Sequence, residues 1–270
     1  MIGFRSNADV TSWAETSRMA VILAIHAHPD DIETLSAGTL ALLARAGHTI
    51  RIATATAGEC GSAEADLADT ARTRQAEGAA AAALIGADYR CGGLPDLGVF
   101  NDDHGRRTVT ELVRWSGADI VVTASPADYH PDHEAVSILV RDACFAASVP
   151  NYRTVPAAPL PAIPHLYFMD PIGGRDRDGA WLAPDFAVDI AATMDTKRAM
   201  LAEHRSQDAW VARQHDIPDH LESMARWSRR CARDFGVEYA EGFRQYRHHP
   251  YPTSPALQAL VGAALLQAAS

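Results

Sequence analysis

What the chain lacks narrows its chemistry before any motif is read. Its four cysteines, Cys60, Cys91, Cys144 and Cys231, are scattered over 270 residues with no CxxC pair, so the sequence encodes neither a disulfide scaffold nor a cysteine-built zinc site. No segment reaches the roughly 18 uninterrupted apolar residues of a membrane span; the nearest, residues 257–269, is broken by Gln258, Gly262 and Gln267. Cations are in deficit, with 24 Lys and Arg against 34 Asp and Glu and a formal charge of −10. That balance argues against a polyanionic partner such as nucleic acid. Neither GxGxxG nor GxxxxGK[ST] follows a strand-like segment, so phosphate-cradling loops are missing too. A basic stretch followed by an apolar one is absent from the first residues, and with reduced thiols the expectation is a cytoplasmic protein.

What is present is a globular composition, 47% hydrophobic and 21% charged, suited to a single domain over residues 1–270. Residues 19–25 form an apolar run too short for a helix and rich in Val and Ile, as a buried strand requires. His26-Ala27-His28-Pro29-Asp30-Asp31 follows, then Leu35, Leu40, Leu42 and Leu43 at helical spacing up to Gly47. The rhythm continues with strands at 49–56, 89–92 and 119–123 and helices at 65–85, 108–115 and 133–147. After a proline-rich connector at 150–164 come strands at 165–170 and 186–190 and helical sequence over 193–235. The pattern predicts an α/β three-layer sandwich with a Rossmann-like, mostly parallel sheet: a core over 19–148, then a mainly helical C-terminal extension over 149–270. In the common doubly wound order the first and fourth strands are neighbours, which brings the His- and Asp-rich loops at 26–31 and 128–133 together at the carboxyl edge.

Those loops hold the chemistry. Three protein ligands and one open position make a catalytic zinc site. His28 and Asp31, three apart on a turn entering a helix, with His133 opposite, are the expected ligands; iron(II) suits the same donors. Asp30, His130 and Asp132 remain for catalysis. Asp30 is expected to take a proton from metal-activated water, and His130, kept protonated and oriented by Asp132, to stabilise an oxyanion.

Ala27–Asp31 reads AHPDD and His130–His133 reads HPDH, and the pair resembles the marks of the zinc-dependent PIG-L or LmbE-like N-deacetylases. The resemblance runs over about the first 145 residues and, more loosely, to Lys197, His204, Ser206 and Gln207, which look like the family's K…HxSQ segment. It implies that His28, Asp31 and His133 bind zinc, that Asp30 is the general base and that His130 acts on the oxyanion. It further implies Arg74 and Asp96 as substrate contacts. The implied substrate is an N-acetylglucosamine-type group on a cyclitol, thiol precursor, lipid or antibiotic intermediate. One departure stands out: the sugar-inositol branch has tyrosine two residues before HPDH, whereas this chain has Asp128 there and Tyr129 beside His130.

Two other readings compete: an amidase cleaving thiol conjugates with the same metal centre, and a non-catalytic sugar- or nucleotide-binding module. His26 is expected to support the site and His204 to be structural; His215, His220, His248 and His249 share no spacing with the cluster. The loop at 173–179 is a candidate lid, Trp181 a candidate stacking surface for a sugar, and the amphipathic tail at 255–268 a cover for the core or a contact in a homo-oligomer.

Overall fold

The structure is a computed structural model that describes residues 19–215 and 219–267. Its first half alternates β1 (Val21–His26), α1 (Asp31–Leu35), α2 (Ala37–Arg45), β2 (Thr49–Thr56), α3 (Leu67–Ala83), β3 (Asp88–Leu94), α4 (Asp103–Ser116), β4 (Ile120–Thr123) and α5 (Pro131–Ala147). The second half supplies β5 (His165–Met169), β6 (Phe186–Asp189), α6 (Met194–Leu201), α7 (Gln207–His215), α8 (His220–Ala232), β7 (Ala240–Gln245), α9 (Ala256–Val261) and β8 (Leu265–Leu266). All the strands among the described residues join one sheet in the order β3-β2-β1-β4-β5-β7-β6-β8. β1 to β5 are parallel; β7 pairs antiparallel with β5 and β6, and β8 with β6.

β1 explains why the first apolar run has no polar alternation. Ile22 and Ala24 pack with Leu40, Leu43 and Ile52 on one face, while Leu23 and Ile25 pack with Val113, Val136 and Leu139 on the other. A central parallel strand is buried on both sides, and each such Leu or Ile contributes roughly 1.5–3 kcal/mol. β1 lies between β2 and β4, with Ile25 in register with Thr123. The adjacent carboxyl ends of β1 and β4 therefore carry the two motif loops to one place.

Two departures from the sequence reading have a common cause. Instead of one helix up to Gly47, the chain breaks at Ser36 into α1 and α2. The amides of Gly38 and Thr39 at the start of α2 donate to Glu241 of β7 at 2.9 and 2.7 Å, an anion placed where the helix dipole favours it. Glu241 in turn pairs with Lys197 at 2.6 Å, both side chains 1% exposed. β7 itself is absent from the sequence reading, because Glu241, Gly242 and Arg244 look like surface sequence. In the fold Glu241 is neutralised by Lys197, Arg244 by Asp170 at 2.9 Å, and a Cβ on Gly242 would meet Asp170 Oδ2 at 2.1 Å.

Of the amphipathic tail at 255–268, all but residue 268 lies within the described residues. α9 ends at Gly262, whose φ of +55° suits glycine, and the chain turns into β8, with Leu257 and Val261 buried in the core. No helix among the described residues is long and apolar enough to cross a membrane. All four cysteines are free.

Candidate active site

The first motif turns from β1 into α1. Asp31 opens the helix, and its Oδ2 accepts the His28 backbone amide at 2.8 Å and meets His26 Nδ1 at 2.7 Å. His26 thus lies behind Asp31, in the supporting place expected for it, and Oδ1 is left to face His133 Nε2 at 3.3 Å. The second motif opens α5. His130 is the N-cap, its Nδ1 accepting the Asp132 amide at 3.2 Å; Pro131 occupies the first turn, where its missing N–H costs nothing, and His133 follows within that turn.

The three predicted ligands converge. His28 Nδ1 lies 3.3 Å from Asp31 Oδ2 and 3.3 Å from His133 Nε2. Asp31 meets the two rings through different oxygens, Oδ2 for His28 and Oδ1 for His133, and among the described residues the donor groups close enough to hold one ion include His28 with His130 and His133, and His26 with Asp31 and His133. Carboxylates back both imidazoles: His28 Nε2 faces Asp96 Oδ1 at 3.0 Å and Asp132 Oδ2 at 3.5 Å, and His133 Nδ1 faces Asp128 Oδ1 at 3.1 Å. Such partners orient metal-binding rings. His28, Asp96 and Asp132 also lie close enough to form a donor group, but Cys60 N–H and Leu97 N–H already hold those two carboxylates.

Asp30 is held apart from its neighbour. Its φ of +111° is rare for a non-glycine residue, a strain of about 1–3 kcal/mol of the kind found at functional sites. Arg74 stabilises the turn, donating from Nη2 to Pro29 O at 2.6 Å and to Asp30 Oδ2 at 3.1 Å, and from Nη1 to Gly58 O at 2.8 Å. A Cβ on Gly58 would lie 2.2 Å from Arg74 Nη1, so glycine is required there. Arg74, implied by the resemblance as a substrate contact, is a buried counter-ion to Asp30 at the cavity wall, and Glu77, three residues on, accepts Ser206 N–H and O–H.

Electrostatics follow from this packing. Burial disfavours charge on His133, yet Asp31 and Asp128 outweigh it and lift the ring to about 9. His28 is raised well above its ordinary value in the same way, burial being overcome by Asp132, Asp31 and Asp96. Asp31 resists burial through His133 and His26 and is lowered well below the usual carboxylate range. Asp96, also against burial, is drawn down to about 2 by His28. Asp30 moves the other way, raised by burial and by Asp31 against the opposing Arg74. Burial, then His28 and His133, push His130 down to about 4.

Three expectations need correction. The Asp132 carboxylate does not orient His130; it accepts Leu97 N–H at 2.7 Å and faces His28, while the Asp132 backbone amide holds the ring. With Nδ1 accepting that amide, a ring hydrogen belongs on Nε2, and burial with His28 and His133 disfavours the imidazolium that the sequence leads one to expect. Asp96 lines the cavity, and its Oδ1 also meets His28 Nε2 at 3.0 Å. Trp181 packs over Gly174 and under Arg230, away from the cavity. The loop at 173–179 is fastened to α5 by Arg177, whose Nε donates to Glu134 Oε1 at 3.1 Å.

A cavity of about 450 Å³ opens over Asp30, His130 and His133 and extends to Trp210 and Trp227. Those tryptophans and Asp128's support of His133 escaped the sequence reading. The only signal for Asp128 was a carboxylate two residues before His130; none marked the tryptophans. His204 is fully buried, 3.5 Å from Glu33, and borders the cavity.

The fold and the site define an α/β protein of the deacetylase type, with a His and Asp donor cluster at the switch point of its sheet. Residues 23–144 match PIG-L, the GlcNAc-PI de-N-acetylase family. The chain is 32% identical over 237 residues, 70% of its length and 80% of the relative's, to 1D-myo-inositol 2-acetamido-2-deoxy-alpha-D-glucopyranoside deacetylase of Nakamurella multipartita. It belongs to the PIG-L family. Two solved structures share the fold: N,N'-diacetylchitobiose deacetylase of Pyrococcus horikoshii, with TM-score 0.70, 22% identity and coverage of 87% of this chain and 86% of that one, and the hydratase GalB of Pseudomonas putida KT2440, with TM-score 0.67, 21% identity and coverage of 87% and 99%. A hydratase and a deacetylase on one fold show that the site, not the sheet, decides the reaction.

Proposed function

We propose that this protein is a metal-dependent N-deacetylase that hydrolyses the acetamide of an N-acetylglucosamine-type sugar on a small conjugate. The observation that carries the reading is a three-donor cluster beside a second carboxylate, Asp30, that Arg74 holds separately. His28, Asp31 and His133 would hold zinc or iron(II), which when bound supplies Lewis-acid polarisation of a carbonyl and acidifies water. Asp30 accepts a proton from the attacking water and returns it to the departing amine nitrogen. Arg74 keeps that carboxylate aimed. His130, its Nδ1 occupied by the Asp132 amide, directs Nε2–H at the oxygen that becomes negative as the carbonyl is attacked. Asp96, Asp128 and Asp132 fix the two metal-facing rings.

The Nakamurella multipartita relative makes its inositol glycoside the first substrate to test, followed by N,N'-diacetylchitobiose, with acetate release measured on zinc- and iron(II)-loaded protein. Acetate release should stop with a chelator and return with metal. Asp30→Asn should retain stoichiometric metal and lose about 100- to 10,000-fold in turnover; undiminished turnover removes Asp30 from the mechanism. His133→Ala should lose its metal on gentle dialysis. Metal binding without acetate release from any N-acetylated sugar overturns the reading.

A further inference from the structure

A second cavity, of about 460 Å³, shares no lining residue with the candidate active site. It opens beside the last two turns of α5, with Phe145 about 18 Å along the helix from His133 at 1.5 Å per residue. Its volume is that of a small-molecule pocket. The walls are aromatic: Phe145, Tyr152 just beyond α5, and Tyr246 and Tyr251 between β7 and α9. Tyr251 is fastened to α5, its hydroxyl donating to Arg141 O, and Tyr246 meets it edge-on with ring centres 4.8 Å apart. The cleft between α5 and the C-terminal segment is thus preformed, and Phe145, 48% exposed, leaves ring surface open.

Charge in the lining is unequal. Arg106 and Arg141 face one carboxylate, Asp142. Asp142 Oδ1 accepts Arg141 Nε at 3.0 Å and Nη2 at 2.8 Å; Oδ2 accepts Asn101 Nδ2 at 3.3 Å and lies 3.8 Å from Arg106 Nε. That carboxylate is filled, whereas Nη1 of each arginine, and Nε of Arg106, has no hydrogen-bond partner among the described residues. Arg107 covers the Tyr152 ring at 4.6 Å and is neutralised by Asp103 at 2.8 Å, and the exposed His248 stacks on Tyr246. The lining therefore keeps one positive charge in excess, in a chain whose formal charge is −10.

A guanidinium fork matches a carboxylate, and aromatic walls favour a flat ring over an aliphatic one. We propose that this cavity is a second ligand site, for a small aromatic carboxylate whose ring lies among Phe145, Tyr246 and Tyr251 and whose carboxylate meets Arg141. The inference is independent of the deacetylase reading.

The probe is 2-naphthoate, titrated calorimetrically into zinc-loaded protein beside 2-naphthylmethanol and cyclohexanecarboxylate. One equivalent of 2-naphthoate should bind, and each comparator about tenfold more weakly, the scale of one charge-assisted hydrogen bond or one good aromatic contact. Arg141→Gln should bring 2-naphthoate to the level of the alcohol and leave the alcohol unchanged; Phe145→Ala should weaken both naphthyl probes several-fold. Both side chains are more than 40% exposed, so Tm should hold in each variant. Stripping zinc with a chelator should leave the 2-naphthoate affinity as it was. Absence of saturable binding, equal affinity in Arg141→Gln, or loss of binding on stripping, which puts the probe at the metal, overturns the site. So does a dimer in sedimentation that Phe145→Ala dissociates, because the face is then an interface between copies of the chain.

Discussion

Replacing Asp128 by Asn isolates the support behind His133. Asp128 Oδ1 lies 3.1 Å from His133 Nδ1 and accepts His130 N–H at 3.2 Å, while Oδ2 accepts Ile172 N–H at 3.1 Å. The side chain has no exposed surface, so water cannot stand in for a lost partner. An amide satisfies only one edge: with its oxygen toward His133 its NH2 confronts Ile172 N–H, and flipped it confronts His130 N–H and the imidazole. One orphaned buried donor costs about 1–3 kcal/mol, which corresponds to roughly 5- to 150-fold in an equilibrium constant and overlaps the 10- to 100-fold effect usual for such outer partners of metal ligands. Asp128→Asn is therefore expected to bind zinc about 10- to 100-fold more weakly, measured by competition with a chromophoric chelator. Because the loss acts through His133, the rise in Tm on adding zinc should shrink as well. Wild-type zinc affinity in Asp128→Asn would refute the reasoning.

Lys197→Met should cost about 3–5 kcal/mol in denaturant unfolding, because it strands the Glu241 carboxylate in the interior; the double variant Lys197→Met, Glu241→Gln should recover part of this, and an unchanged midpoint in the single variant would show the pair to be idle. Asp170 carries a pH signature: burial, against the opposing Arg244, lifts its carboxyl to about 6. The folded chain thus binds this proton more tightly than the unfolded one, so its contribution to stability is fully present below about pH 4 and is lost as pH rises through about 6. Relative to Asp170→Asn, the wild type should lose about 3 kcal/mol between those limits, and parallel urea midpoints across that range would contradict the assignment.

The parallel half of the fold was legible because its strands are buried on both faces, and nothing polar interrupts the run at β1. From that followed the adjacency of β1 and β4, and from adjacency the meeting of the two motifs. β7 was illegible for the opposite reason: its polar residues are neutralised by partners far along the chain, Lys197 and Asp170, and single-sequence patterning has no access to such pairs. The same limit applies at the site. Residue types and spacing indicated which side chains converge, but not which face of each carboxylate points where. Asp132 was assigned to His130, yet it faces the rear nitrogen of His28; Asp96 faces that nitrogen too, while also lining the cavity.

The role of His130 shows how a local rule decides chemistry. As N-cap of a 17-residue helix it must accept an amide of the first turn, and it does so through Nδ1. That lone pair cannot also carry a proton, so the hydrogen resides on Nε2. The positive end of α5 and the neighbouring His28 and His133 further oppose a charge on the ring. Asp132 then gains nothing by facing His130 and turns its carboxylate to Leu97 N–H and His28. In the proposed reaction a neutral imidazole with a fixed Nε2–H would donate to a developing oxyanion without a proton being lost or gained first, which assigns the proton shuttle to Asp30.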